Sequence, residues 1–164
     1  MKKTWQEKIA DKSSMPKVLT LEKRFPCYNA VHKMGAEAGD QVILVNPSEI
    51  WPLMAKIPKG KVTTVIEICK SITKKHQVKG CCSLTTGIFI MSIANAIEEA
   101  IENKEHSEFV KIPYWRTLKA DGFLNEKYPG GQEKQKQLLE KEELSVTARG
   151  KNYQVKNYQQ YLFS

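Results

Sequence analysis

From Thr64 to Ile101 the chain carries two apolar patterns at helical spacing with one short break between them, and this limits its fold more than any other feature. Thr64, with Glu67 three residues on, forms a capping box that opens a first helix through Ile66, Ile68 and Ile72; it should stop by Gly80. Beyond Gly80, the residues Ser83, Thr85 and Thr86 are candidate caps for a second helix, whose Ile90, Ile93, Ala94, Ile97 and Ile101 share one face. Two helices so closely joined predict a helix-turn-helix. Around this pair, Gly39-Asp40 precedes a short β-branched strand at 41–45, and Asn46-Pro47-Ser48 leads into a helix that Ser48 would cap, running to Ala55. Pro129-Gly130-Gly131 comes before a helix carrying Leu138 and Leu139, and 144–148 and 152–155 read as a hairpin turning at Arg149-Gly150-Lys151. The expected fold class is therefore α+β and mainly helical. Residues 1–24 are lysine-rich, with Trp5 and Ile9 on a helix-like stretch and a break at Ser13-Ser14-Met15-Pro16, so they are expected to form an arm or a peripheral helix outside the core.

No stretch reaches the roughly 18 to 20 consecutive apolar residues of a membrane span. The longest apolar region, 88–100, is interrupted by Ser92, Asn95 and two glutamates, so no membrane partner is expected. Met1-Lys2-Lys3-Thr4-Trp5 turns polar at once, without the apolar core of a signal peptide, which predicts a cytoplasmic protein whose four cysteines are reduced. The formal charge is +8, and all of it lies in one half: residues 1–80 hold 15 Lys and Arg against 7 Asp and Glu, whereas residues 81–164 hold 11 of each. A localised basic surface attracts polyanions, which makes nucleic acid the first candidate partner. The sequence has no Cys-x-x-Cys pair and no phosphate-binding glycine loop, so neither a metal nor a cofactor is expected.

Three segments in register carry a resemblance. They are Ile57-Pro58-Lys59-Gly60-Lys61-Val62-Thr63-Thr64, then Ile112-Pro113-Tyr114-Trp115-Arg116, then the succession Asp121-Gly122, Tyr128-Pro129-Gly130-Gly131 and Leu138-Leu139-Glu140-Lys141-Glu142. Together they resemble the DNA-binding domain of the O6-alkylguanine-DNA alkyltransferases and their alkyltransferase-like relatives over residues 56–143. Residues 1–55 are then an N-terminal extension packed on that domain, and 144–164 a C-terminal hairpin and tail. The resemblance implies a winged-helix-like domain that enters the minor groove with its second helix and rotates a damaged guanine into a pocket. It also implies alkyl transfer to a cysteine that a histidine, oriented by a glutamate, makes nucleophilic.

The sequence departs from that pattern at the reacting centre. Tyr114 stands in the place of the cysteine and Trp115 in that of the histidine, and only Glu142 keeps the orienting carboxylate. A phenol with a reference pKa near about 10 is a poor alkyl acceptor at neutral pH, so the resemblance is to the alkyltransferase-like proteins, which bind alkylated guanine without transferring anything. The expected function is recognition of alkylated or distorted double-stranded DNA, with hand-over to other repair proteins. Candidate lesion-contacting residues are Tyr114, Trp115, Arg116 and Tyr128. On the DNA-facing helix they are Ser83, Thr85, Thr86 and Met91, the last in the place of the family's arginine finger, and Val65 replaces a tyrosine that helps turn the phosphate. No Lys or Arg occurs from Gly80 through Asn103, and Glu98, Glu99 and Glu102 should repel phosphates. Two other readings stay open: alkyl transfer by a relocated cysteine, Cys81 or Cys82, near the start of the second helix, and a degenerate domain that acts as a protein-interaction module.

Overall fold

Thr64 opens the first long helix as expected. Its backbone is extended and its hydroxyl accepts the Glu67 amide, which starts the helix Val65–His76. Gln77, in the left-handed region, ends it. A computed structural model describes residues 2–11 and 15–164, so Ser13 and Ser14 of the expected break lie outside the described residues. In chain order the elements are α1 (Trp5–Ala10), β1 (Lys17–Thr20), α2 (Tyr28–Lys33), β2 (Gln41–Leu44), α3 (Pro47–Ala55), β3 (Thr63–Thr64) and α4 (Val65–His76). There follow β4 (Gly80–Cys81), α5 (Ser83–Glu102), β5 (Thr117–Leu118), α6 (Gly131–Glu140), β6 (Val146–Arg149) and β7 (Asn152–Val155). The fold is α+β and mainly helical, with α4 and α5 as the helix-turn-helix and β6–β7 as the C-terminal antiparallel hairpin.

Two expected caps are replaced by their neighbours. Asn46, not Ser48, caps α3: its side chain accepts the Ser48 amide, and Pro47 takes the first helical position, where its missing N–H costs nothing. Cys82, rather than Ser83, Thr85 or Thr86, caps α5 through its Sγ, 3.4 Å from the Thr85 amide. The cause is upstream, where Gly80–Cys81 forms a strand parallel to Val42 and Ile43 and leaves Cys82 as the last extended residue.

The N-terminal segment does form a helix, but it is not peripheral: it enters the core. Thr4 and Glu7 make a full capping box, α1 lies along α5, and the Trp5 and Gln6 amides both donate to the Glu99 carboxylate at 3.1 Å. Ile9 is buried in one core with Ile43, Ile50 and Met54 of the extension and with Ile68, Ile93, Ile97, Tyr114 and Tyr128. β1 pairs antiparallel with β2, completing a three-stranded sheet β1-β2-β4. A second core, around Val62, Leu118, Leu124, Leu139 and Val155, joins α6 to the hairpin. At the Asp121-Gly122 turn φ is +82°, and a Cβ on Gly122 would run into the Tyr158 ring, so glycine is required there twice over. By length and composition α5 could cross a membrane. Its Ile90, Ile93, Ala94, Ala96, Ile97 and Ala100 are instead buried within the protein, as in a central core helix.

Candidate nucleic-acid interface

A short 3₁₀ turn, Tyr114–Arg116, follows Pro113 and feeds β5, which pairs in parallel with β3. Tyr114 points into the core, where it is 1% exposed, and meets Trp115 and Tyr128 edge to face at 5.5 and 5.4 Å between centroids. Its hydroxyl donates to Glu98 Oε1 at 2.8 Å, and that of Tyr128 to the Thr117 carbonyl at 2.8 Å. Burial, then the bond to Glu98 and its negative charge, holds the Tyr114 hydroxyl far above the ordinary phenol range; burial, then neighbouring Tyr114, does the same for Tyr128. Neither ring supplies a phenolate at neutral pH.

Behind the turn lies a nearly dry ion pair. Arg116 donates from Nε to both Glu142 oxygens at 3.0 Å, from Nη2 to Oε1 at 2.6 Å, and from Nη1 to the Ile57 carbonyl at 2.6 Å. Trp115 Nε1 adds a bond to Glu142 Oε1 at 3.1 Å. Glu142 thus holds Trp115 and Arg116 as the resemblance implied for a histidine, but with its acceptors engaged by a guanidinium and an indole. Gln135 of α6, buried, donates to the Trp115 carbonyl and accepts the Asn125 amide. Sequence reasoning missed it; the available signal was its position four residues before Leu139, on the buried side of α6.

The glutamates of α5 have partners that their local sequence does not show. Glu98 accepts from Tyr114 and pairs with Lys134 at 2.8 Å, and Glu99 caps α1, so the expected repulsion of phosphates by these two is offset within the fold. Glu102 is exposed. Among the residues proposed for the DNA-facing helix, Thr86 is turned inward, 1% exposed, with its hydroxyl 3.3 Å from Cys81 Sγ, so it faces the core and not DNA. Thr85 leans on the cap sulfur through Oγ1 at 3.4 Å, and Ser83, Thr85 and Met91 are half-buried. Leu84 and Ile88, which sequence reasoning passed over, are the exposed residues of this stretch, at 54% and 58%. Asn95 donates to the Met91 carbonyl and to the Lys127 carbonyl, which ties the middle of α5 to the loop before α6. A cleft of about 790 Å³ opens beside Ser83, lined also by Lys33, Met34, Asp121 and Tyr158 and by Glu67 and Lys70 of α4.

The relocated-cysteine candidates are buried: Cys81 is 0% and Cys82 2% exposed. A hydrogen bond from Cys69 lowers the Cys81 thiol, while that bond together with burial holds Cys69 far above its usual range. Burial and then the Cys82 thiol push Cys27 up to about 11. Among the described residues, no group of three His, Cys, Asp or Glu side chains could hold a metal ion.

Residues 47–144 match the family model for the DNA-binding domain of 6-O-methylguanine DNA methyltransferase. No curated protein matches the chain. Two solved structures with a similar fold come from S. pombe: Atl1 in complex with damaged DNA containing O6-carboxymethylguanine, TM-score 0.49, and ATL in complex with DNA, TM-score 0.50. Each is 18% identical, over 72% of this chain and 94% of the other.

Proposed function

This chain belongs to the 6-O-methylguanine DNA methyltransferase DNA-binding-domain family, and from that premise we propose that it is a non-enzymatic DNA-binding protein that recognises alkylated or distorted duplex DNA without alkyl transfer. The observation that carries the proposal is Tyr114: at the position of the family's nucleophile stands a buried phenol that keeps its proton and donates a hydrogen bond to Glu98. Transfer needs a nucleophilic anion within reach of the alkyl carbon. Trp115, in the place of the base, carries no basic nitrogen. Cys81 does have a lowered thiol, but it lies at 0% exposure against Thr86 and Cys69, where a base cannot meet it. The S. pombe protein of similar fold was solved with DNA, the partner proposed for this chain.

The test is a binding titration at two salt concentrations, with duplexes that do or do not carry a single O6-methylguanine, followed by mass spectrometry of the protein. Binding that weakens as salt rises, with an unchanged protein mass, is the expected result. A mass gain of one methyl group would reinstate the relocated-cysteine enzyme. Failure to bind either duplex at low salt would overturn the DNA reading and leave the protein-interaction module.

A further inference from the structure

We propose that the first half of α5 acts as an apolar wedge in the minor groove, so that the preferred target is a duplex with an unstacked or easily unstacked base step and not alkylated guanine as such. The inference rests on the DNA-binding reading above and specifies what that site recognises. Leu84, Ile88, Met91 and Asn95 follow one another at spacings of four, three and four and so lie on one face of the helix. Leu84 and Ile88 are more than half exposed, and they span about 6 Å along the axis, roughly two base-pair steps. Leu, Ile and Met are among the side chains that intrude between base steps and kink a duplex from the minor groove.

The charges around this face fit two phosphate strands with an apolar ridge between them. Lys33 and Lys70 line the cleft beside Ser83 at the start of the helix. Lys127 lies at the other end of the ridge, its carbonyl held by Asn95. Lys70 is paired with Glu67, but both are solvent-exposed enough for the pair to be weak, so the ammonium can turn to a phosphate. Glu67 and Asp121 are the acidic residues of the same lining. Further along the face, the exposed Glu102 confines contact to the first turns. At the Tyr114–Arg116 turn, the hydroxyls of Tyr114 and Tyr128 are bonded to Glu98 and to the Thr117 carbonyl and both rings are buried, so these two rings offer a flipped base no open aromatic face. Selectivity then comes from the cost of opening the step, which is smallest where the stack is already broken.

The test compares wild type, L84S/I88S and K33Q/K70Q on an intact duplex, one with a single abasic site and one with a single O6-methylguanine. Each carries 2-aminopurine beside the central step. Both positions of the first variant are exposed, and its thermal unfolding shows whether the fold persists. Wild type should prefer the abasic duplex by about tenfold or more and raise the 2-aminopurine fluorescence. L84S/I88S should bring that preference to within about twofold and abolish the fluorescence rise, with little change on intact DNA. K33Q/K70Q should weaken binding to all three alike and reduce the salt slope by about two. Retention of the abasic preference by L84S/I88S would overturn the wedge, as would a stronger preference for O6-methylguanine, while the DNA-binding function would stand. A wild type that binds no duplex would overturn both. A wild-type dimer that L84S/I88S dissolves would assign the ridge to a second copy of the chain.

Discussion

Removing the Arg116 guanidinium should be one of the most damaging single changes in the molecule. The Arg116 and Glu142 side chains are 14% and 8% exposed, and the arginine supplies four of the five hydrogen bonds that join Ile57, Trp115, Arg116 and Glu142. In Arg116→Ala the carboxylate keeps one indole N–H and little water. Breaking a buried pair from one side costs about 3–5 kcal/mol, which for a chain of this length is a fall in melting temperature of about 6–20 °C. Glu142→Ala should cost a similar amount, because it strands the guanidinium with only the Ile57 carbonyl. The two losses cannot add, since each removes the same interaction. The double variant should be about 2–3 kcal/mol more stable than the sum of the singles predicts, and R116M/E142L, which restores apolar volume, should approach wild type. Urea unfolding followed by tryptophan fluorescence measures all four. Single losses below about 1 kcal/mol that add in the double variant would show that the pair behaves as a solvated surface bridge, and would refute the reasoning.

Tyr114→Phe keeps both edge-to-face contacts but deletes the bond to Glu98, so it should cost about 1.5 kcal/mol in thermal unfolding and leave DNA affinity within about twofold; a large affinity loss would put the hydroxyl in contact with DNA. For Glu49, burial pulls the carboxyl up, but the bonds from Lys75 and His76 outweigh it and leave it below the usual range. A lowered folded value means that its stabilisation is complete above the unfolded-state value of about 4.3 and is lost as pH falls through the lower folded value. Glu49→Gln should therefore be about 1 kcal/mol less stable at pH 7 and draw level with wild type in strong acid; a gap that does not change with pH would contradict this.

Where order came from neighbours in sequence, it was legible. Thr64 and Glu67 announce α4, Ile90, Ile93 and Ile97 mark the buried face of α5, though Ile101, expected on that face, is exposed, and Gly150 with alternating residues gives β6 and β7. What escaped were pairings across long separations. Gly80 and Cys81 are a strand only because Val42 and Ile43 lie beside them, and that strand sets Cys82 as the cap. Trp5 and Ile9 are too few to announce a core helix, since the face that receives them lies some 94 residues on, at Glu99. The same ignorance of partners made Glu98 and Glu99 read as free negative charge. At the candidate site, the motif positions 114, 115, 116 and 142 do come together, but the sequence could not show that Glu142 is engaged by Arg116 or that Thr86 faces inward.

Helix α5 is mechanically a beam supported along its length. Near its C-terminal end α1 holds Glu99, and Tyr114 and Lys134 hold Glu98; in its first turns Cys82, Thr86 and Ile90 are buried, while Leu84 and Ile88 project from the opposite side. From Leu84 to Glu98 is about 21 Å. A load on the two projecting side chains is passed straight through the helix to the buried residues of the same turns, and along it to the pair of glutamates. The aromatic turn and the first ten residues thus brace the far end of the beam, and part of the stiffness with which the chain can press on another molecule is set where it does not touch it.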